Sequence, residues 1–276
     1  LDPRNGKLVT LIDSSVSSAE ALSGLKTQNL LGADTYINLI GFGAYARNRK
    51  DFWSFGLSLR TSAEVNLPYS LFDFIKNGHE GSIRDIGVAA DSYLEAAFSY
   101  SFPLLDDRLY IGVRGKFLAG MARGRLSFDR FDVSLQDDRW AVDAAGSLDI
   151  SASGLTATTE ENAAGEQIYK FNDIELQPTS PAGYGFAVDL GATYDILPDL
   201  QASLAVNDLG FISWGKGNNL SGTSSKNLEF TGTTVEGGTV SELPDFDLDV
   251  LEFRKEEARS ATRALRASVN AGLEYR

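Results

Sequence analysis

Seven stretches of the chain alternate between apolar and polar residues with a period of two. The clearest runs over about Phe52–Glu64. There Trp53, Phe55, Leu57 and Leu59 fall on one face, and Ser54, Gly56, Ser58, Arg60 and Ser62 on the other. Over about Tyr93–Phe102, Leu94, Ala96, Phe98, Tyr100 and Phe102 oppose Glu95, Ser99 and Ser101. Over about Leu109–Met121, Leu109, Ile111, Val113, Phe117 and Met121 oppose Arg114 and Lys116. The alternation recurs over Gly185–Ile196, with Asp189 on the polar face, over Leu200–Asn207 and over Ala264–Arg276. A Gly-rich stretch, Asp34–Arg47, opens the series with less distinct faces. Strict alternation over about ten residues predicts strands with two unlike faces. It is also the length that crosses a bilayer when the strand is tilted.

Short connections (Asn48–Asp51, Pro103–Arg108, Leu197–Asp199) alternate with long ones (Val65–Ser92, Ala122–Tyr184, Asp208–Arg263). Outer-membrane barrels segregate their connections in this way, with short periplasmic turns and long outer loops. A soluble sandwich has no reason to. If Phe102 faces Leu109, Tyr100 pairs with Ile111, Phe98 with Val113, and Glu95 on the other face meets Lys116. Ile196 against Leu200 likewise pairs Tyr194 with Ala202, Ala192 with Leu204 and Leu190 with Val206, and sets Asp189 opposite Asn207. Ser17–Glu20 is a capping-box pattern ahead of Ala21–Leu25, and Pro68–Lys76 reads as a helix that stops at Asn77-Gly78. Arg125–Leu135 and Trp140–Ile150 alternate too. They make either a hairpin beyond the membrane or two further spanning strands. Leu155–Pro181 and Trp214–Glu242 read as polar loop.

The expected fold is therefore all-β. It is an antiparallel up-and-down transmembrane β-barrel with short inserted helices and long outer loops, one domain over residues 1–276. Composition changes this picture only where it excludes something. The chain has no Cys and one His, which removes disulfides, thiolate zinc sites and multi-histidine metal sites. Its net charge of −13 argues against nucleic acid as a partner. Mean hydropathy of −0.14 looks soluble, but two opposed faces average to that value. No run approaches the roughly 20 apolar residues of a spanning helix. Seven strands is an odd number, and single-chain bacterial barrels close with an even one. Leu1 in place of a Met reads as a mature or truncated N-terminus; the odd count means either a missed strand or an incomplete part of a larger barrel, and the second is the expectation.

The stretches SSVSSAEALSGLKTQNLLGADTYINLIGFGAYA, LRTSAEVNLPYSLFDFIKNG and AVNDLGFISW resemble a Bacteroidota family of outer-membrane barrel proteins catalogued as a domain of unknown function. The resemblance covers most of the chain outside the variable loops. It implies a larger barrel, of the broad type that includes fatty-acid transporters and secretion-associated barrels. It implies no catalytic residues.

The candidate chemistry is sparse. His79, in His79-Glu80-Gly81, has no nucleophile motif near it and reads as a solvated loop residue. Gly41-Phe42-Gly43-Ala44-Tyr45-Ala46 matches G-x-G-x-x-A, but inside a strand, so no dinucleotide site is expected. Asp245, Asp247 and Asp249, with Glu256 beyond them, partly imitate a calcium loop. Val250 stands where that loop needs Gly, so an acidic strand face is the better reading. Arg60, Glu95, Arg114, Lys116 and Asp189 are expected to face the lumen, either solvating and stiffening it or setting selectivity or holding a plug. No catalytic residue, metal or cofactor is expected. The expected function is a non-enzymatic outer-membrane barrel passing or relaying a small or hydrophobic molecule. The alternatives are an accessory subunit of a larger outer-membrane complex, or a soluble β-rich binding protein. The expected partners are the lipid bilayer with lipopolysaccharide, and other outer-membrane proteins.

Overall fold

A computed structural model describes residues 11, 13, 15–78, 81–135, 139–170, 173–177, 180–231, 235–236, 239–240 and 251–275. His79, Asp245, Asp247 and Asp249 lie outside the described residues. Among the described residues two α-helices, α1 (Ser18–Ala21) and α2 (Tyr69–Asn77), accompany eighteen strands. The long strands are β1 (Gln28–Tyr45), β2 (Phe52–Pro68), β4 (Ile86–Leu104), β5 (Leu109–Leu135), β6 (Arg139–Ala152), β11 (Gly183–Leu197), β12 (Leu200–Trp214), β13 (Asn219–Thr231) and β18 (Ser268–Tyr275). The short ones are β3 (Gly81–Ile83), β7 (Leu155–Thr156), β8 (Thr159–Glu161), β9 (Gln167–Tyr169), β10 (Glu175–Leu176), β14 (Val235–Glu236), β15 (Thr239–Val240), β16 (Arg254–Glu256) and β17 (Ala261–Ala264). No helix among the described residues is long and apolar enough to cross a membrane.

Fourteen strands form one antiparallel sheet. β1, β2, β4 and β5 lie side by side. On its far side β5 changes neighbour. Leu109–Gly120 pairs with β11, and Ala122–Leu135 pairs with β6. Beyond β11 come β12 and then β17 and β18. Beyond β6 come β13, β16, β9 and β8. The seven alternating stretches thus become one continuous wall, the last of them interrupted at Leu265–Ala267. The expected barrel is corrected in one respect. The sheet is not closed: β1 stands at one edge of the wall, β17 and β18 at the other.

One face of the wall is apolar from edge to edge. Ala44, Trp53, Tyr100, Val113, Leu190, Val206 and Val269 form one cross-strand row. Ile40, Leu57, Ala96, Phe117, Phe186, Phe211 and Ala264 form another. Among the described residues nothing covers this face: Phe98 is 53% exposed, Phe186 60% and Leu204 53%. Trp53 and Phe55 are half-buried against rings of their own face. Trp53 stacks on Phe98 at 6.4 Å, and Phe42 meets Phe55 at 5.6 Å.

The β4–β5 register differs from the expected one by two residues. Phe102 pairs with Ile111, and Leu104 with Leu109. Glu95 therefore lies opposite Leu118, and it is Ala97 that faces Lys116. Pro103 and Leu104 remain in the strand, and the turn is made by Leu105, Asp106 and Asp107, all at positive φ. An even shift leaves every side chain on its expected face. In the β11–β12 hairpin Tyr194, Ala192 and Leu190 take the expected partners, but Leu197 rather than Ile196 meets Leu200.

Trp214–Glu242 is not all loop: β13 occupies thirteen residues of it and pairs with β6 throughout. Here β5, β6 and β13 bury Val133, Val142, Leu148 and Leu220 beneath Leu251 and Phe253, with Phe74 of α2 alongside. Both helices start where the sequence says, and α2 stops there too, but α1 ends at Ala21, short of the expected Leu25. The Ser17 hydroxyl accepts from the Glu20 amide at 3.3 Å, and Gly78 closes α2 in the left-handed region at φ 65°.

Candidate functional site

Behind the apolar rows the opposite face holds charge. Glu95 has no exposed side-chain surface. Its Oε1 accepts from Arg114 Nη2 at 3.0 Å. Its Oε2 lies 3.0 Å from Arg60 Nε, a charge contact rather than an aligned hydrogen bond, and 3.9 Å from Lys116 Nζ. Lys116, 1% exposed, reaches Asp189 Oδ2 at 2.7 Å and donates to Asp208 Oδ1 at 2.6 Å. Arg60 Nη1 donates to Asp208 Oδ2 at 3.1 Å. Three cations and three anions therefore neutralise one another. Each buried ion would otherwise cost several kcal/mol, as an order of magnitude.

The structure brings together all five charged residues singled out as lumen-facing, Arg60, Glu95, Arg114, Lys116 and Asp189. Asp208 is the sixth, and alternation alone misses it. Across from Asp189, β12 carries two residues, Asn207 and Asp208, where β11 carries one. This bulge puts Asp208 at φ 60°, and the Asp208 amide donates to Asp189 Oδ1 at 2.8 Å. A signal was present. The apolar positions of β12 are even at Leu204 and Val206 but odd at Leu209 and Phe211. Only an inserted residue can keep both sets on one face.

The Arg60–Asp208 contact also measures curvature. β2 and β12 are separated by β4, β5 and β11, so the path along the sheet is four intervals, roughly 19 Å. A 3.1 Å contact between their side chains requires the wall to curl strongly. The network is a chord across that curl.

On the long-connection side of the chord the polar face opens into a cavity of about 560 Å³. β1, β2, β4, β5, β12 and the segment 263–266 all contribute to its walls. Its apolar part is built by Trp214, Ile212, Leu265 and Tyr93. Trp214 is 1% exposed and lies over Gly120, where a Cβ would come within 2.7 Å of the indole ring. That glycine is what lets the ring fill the place where β5 leaves β11 for β6.

The other sequence candidates play no part here. Gly41 and Gly43 lie within β1 and are followed by another strand, β2. Glu256 accepts from Thr223 Oγ1 at 2.9 Å, remote from the chord. Among the described residues no group of three or more acidic or His side chains is placed to hold a metal ion.

No curated protein and no solved structure matches the chain. A family model does, over residues 2–276, and its description is "Family of unknown function (DUF5723)". The stretches containing Arg60, Asp208 and Trp214 are among those that carried the sequence resemblance. With essentially the whole length matched, the chain belongs to the DUF5723 family.

Proposed function

We propose that this chain is a non-enzymatic β-wall of an outer membrane, with its apolar face in lipid and its polar face holding or relaying a small molecule. One observation carries the reading. The face with exposed Phe98, Phe186 and Leu204 is continuous over seven strands, while the charges lie behind it, Glu95 fully buried. A soluble protein has this arrangement the other way round. Patches of this extent on soluble monomers are interaction surfaces, and strands with this pattern suit the hydrocarbon layer. Tyr45, Tyr100, Tyr194 and Tyr275 lie toward the short-turn ends, where interfacial aromatics belong.

Two single-tryptophan variants test the reading in liposomes of brominated phospholipid. One retains Trp53 on the belt, the other Trp214 behind it. Strong quenching of Trp53 and little of Trp214 is expected. An unquenched Trp53 in protein that floats with the liposomes would sink the proposal.

The chord itself favours a second reading, an accessory subunit of a larger outer-membrane assembly. Six ionised side chains locked across the curl leave little room for free aqueous flow at that level. Absence of conductance, together with stoichiometric co-purification of another outer-membrane protein, would select it.

A further inference from the structure

We propose that the cavity beside the chord binds an anionic group, a phosphate or carboxylate, on Arg123, Arg125 and Arg263, with an apolar remainder against Trp214 and Leu265. The inference does not rest on the membrane reading, since the cavity lies on the polar face.

The argument is one of charge left over. The chain as a whole carries −13, yet five arginines and three aspartates line this cavity. Two of the arginines are already spoken for, Arg60 by Glu95 and Asp208, and Arg266 by Glu64. Arg123 is only 6% exposed; among the described residues the one carboxylate within 4 Å of it is Asp91, Oδ1 at 3.6 Å from its Nε, and Asp149 acts on it from farther off. The side chains of Arg125 and Arg263 are exposed and make no hydrogen bond or ion pair with the described residues, although Asp149 faces Arg125 across the β5–β6 pairing. All three act electrostatically on Asp91, and Arg263 and Arg125 also act on Arg123 as like charges.

Three guanidiniums, one of them buried, set against Asp91 and the more distant Asp149 leave an excess of positive charge. A bound anion removes that deficit, because guanidinium forks match carboxylate and phosphate oxygens two at a time. The strand geometry explains the convergence. A bulge at Met121 rephases β5, so that Arg123 and Arg125 follow Lys116 and Leu118 onto the polar face. Trp214, Ile212 and Leu265 then offer apolar surface in the same cavity wall. A cavity of about 560 Å³ is of small-ligand size.

Calorimetry on the full chain in neutral detergent tests this with three probes: octyl phosphate, inorganic phosphate and octanol. Octyl phosphate is expected to saturate one site, about ten-fold or more tighter than octanol, and to weaken as salt is raised. Arg125→Gln and Arg263→Gln touch no protein partner and should leave Trp214 emission unchanged. Each is expected to weaken octyl phosphate roughly ten-fold. Inorganic phosphate binding as tightly as octyl phosphate would assign a free anion. Octyl phosphate binding alone, with retention on phosphatidic acid vesicles, would assign a lipid headgroup. Equal binding of octanol and octyl phosphate overturns the proposal, as does unchanged affinity in both variants. So does an absence of binding by either phosphate at millimolar concentration.

Discussion

Glu95 has three cations around it and no contact with solvent. Replacing it with Gln keeps its shape and removes its charge, leaving Arg60, Arg114 and Lys116 short of a partner. Removing one member of a buried ion pair typically costs about 3–5 kcal/mol. Glu95→Gln is expected to fall in that range in urea titrations of the refolded protein. Arg114→Gln is expected to cost less, because Arg114 is 31% exposed and water partly replaces it. A Glu95→Gln protein as stable as the parent would contradict the chord as described. Five members of this cluster were legible from parity because a half-buried strand admits only two side-chain directions. Asp208 was not. Its strand was read as ending at Asn207, one residue before the bulge that aims it inward.

At the scale of elements, legibility followed the contrast between faces. All seven alternating stretches became strands, since apolar and polar residues alternated in six of them and the Gly-rich first one continues the same wall. Their ends were harder to place. β5 runs on to Leu135 because Met121 inverts its parity midway, and a strict two-residue count stops there. β13, with the sequence NLSGTSSKNLEFT, gave no signal, being polar or small on both faces over most of its length. Its position comes from backbone pairing with β6 and from contacts such as Ser221 Oγ donating to Asp149 Oδ1 at 2.7 Å.

The segment around β16 is fastened by carboxylates. Arg254 Nη1 donates to Glu166 Oε1 at 3.0 Å, Lys226 binds Glu252, and Asn162 Nδ2 reaches both glutamates at 3.2 Å. Both carboxyls sit below the usual glutamate range, Glu166 chiefly through the Arg254 hydrogen bond and Glu252 chiefly through that of Lys226. A depressed carboxyl contributes stability that is complete above its unfolded value, about 4.3, and is lost as pH falls through the lower folded value. Amide protection of residues 251–256 is therefore expected to hold from neutral pH to about pH 5 and to fall below about pH 4. In Lys226→Gln, where Glu252 returns toward its ordinary range, the loss should begin at higher pH. Protection independent of pH down to the acid limit would show that these carboxylates fasten nothing.

Across the whole molecule, the two halves of the sheet have different surroundings. Around β11, β12 and β18 the apolar side chains stay exposed. Around β6 and β13 they are covered by Leu251, Phe253 and Phe74. The covered half is built like a soluble sandwich, the uncovered half like a membrane wall, and β5 belongs to both. On the membrane reading, trypsin added to intact cells should cut at Arg125, Arg130 or Lys170, which are accessible, and spare Arg60, Arg114 and Lys116. Cleavage in the chord before the outer half would reverse the assignment of inside and outside.

The unbroken run of β5 has one more consequence. Twenty-seven residues at about 3.3 Å each give a contour of roughly 90 Å. Inclined at about 45°, that is still some 60 Å of height, about twice a 30 Å hydrocarbon layer. On the membrane reading, the upper half of the strand and its partners would stand like a mast above the bilayer, out where anything approaching the cell would meet them.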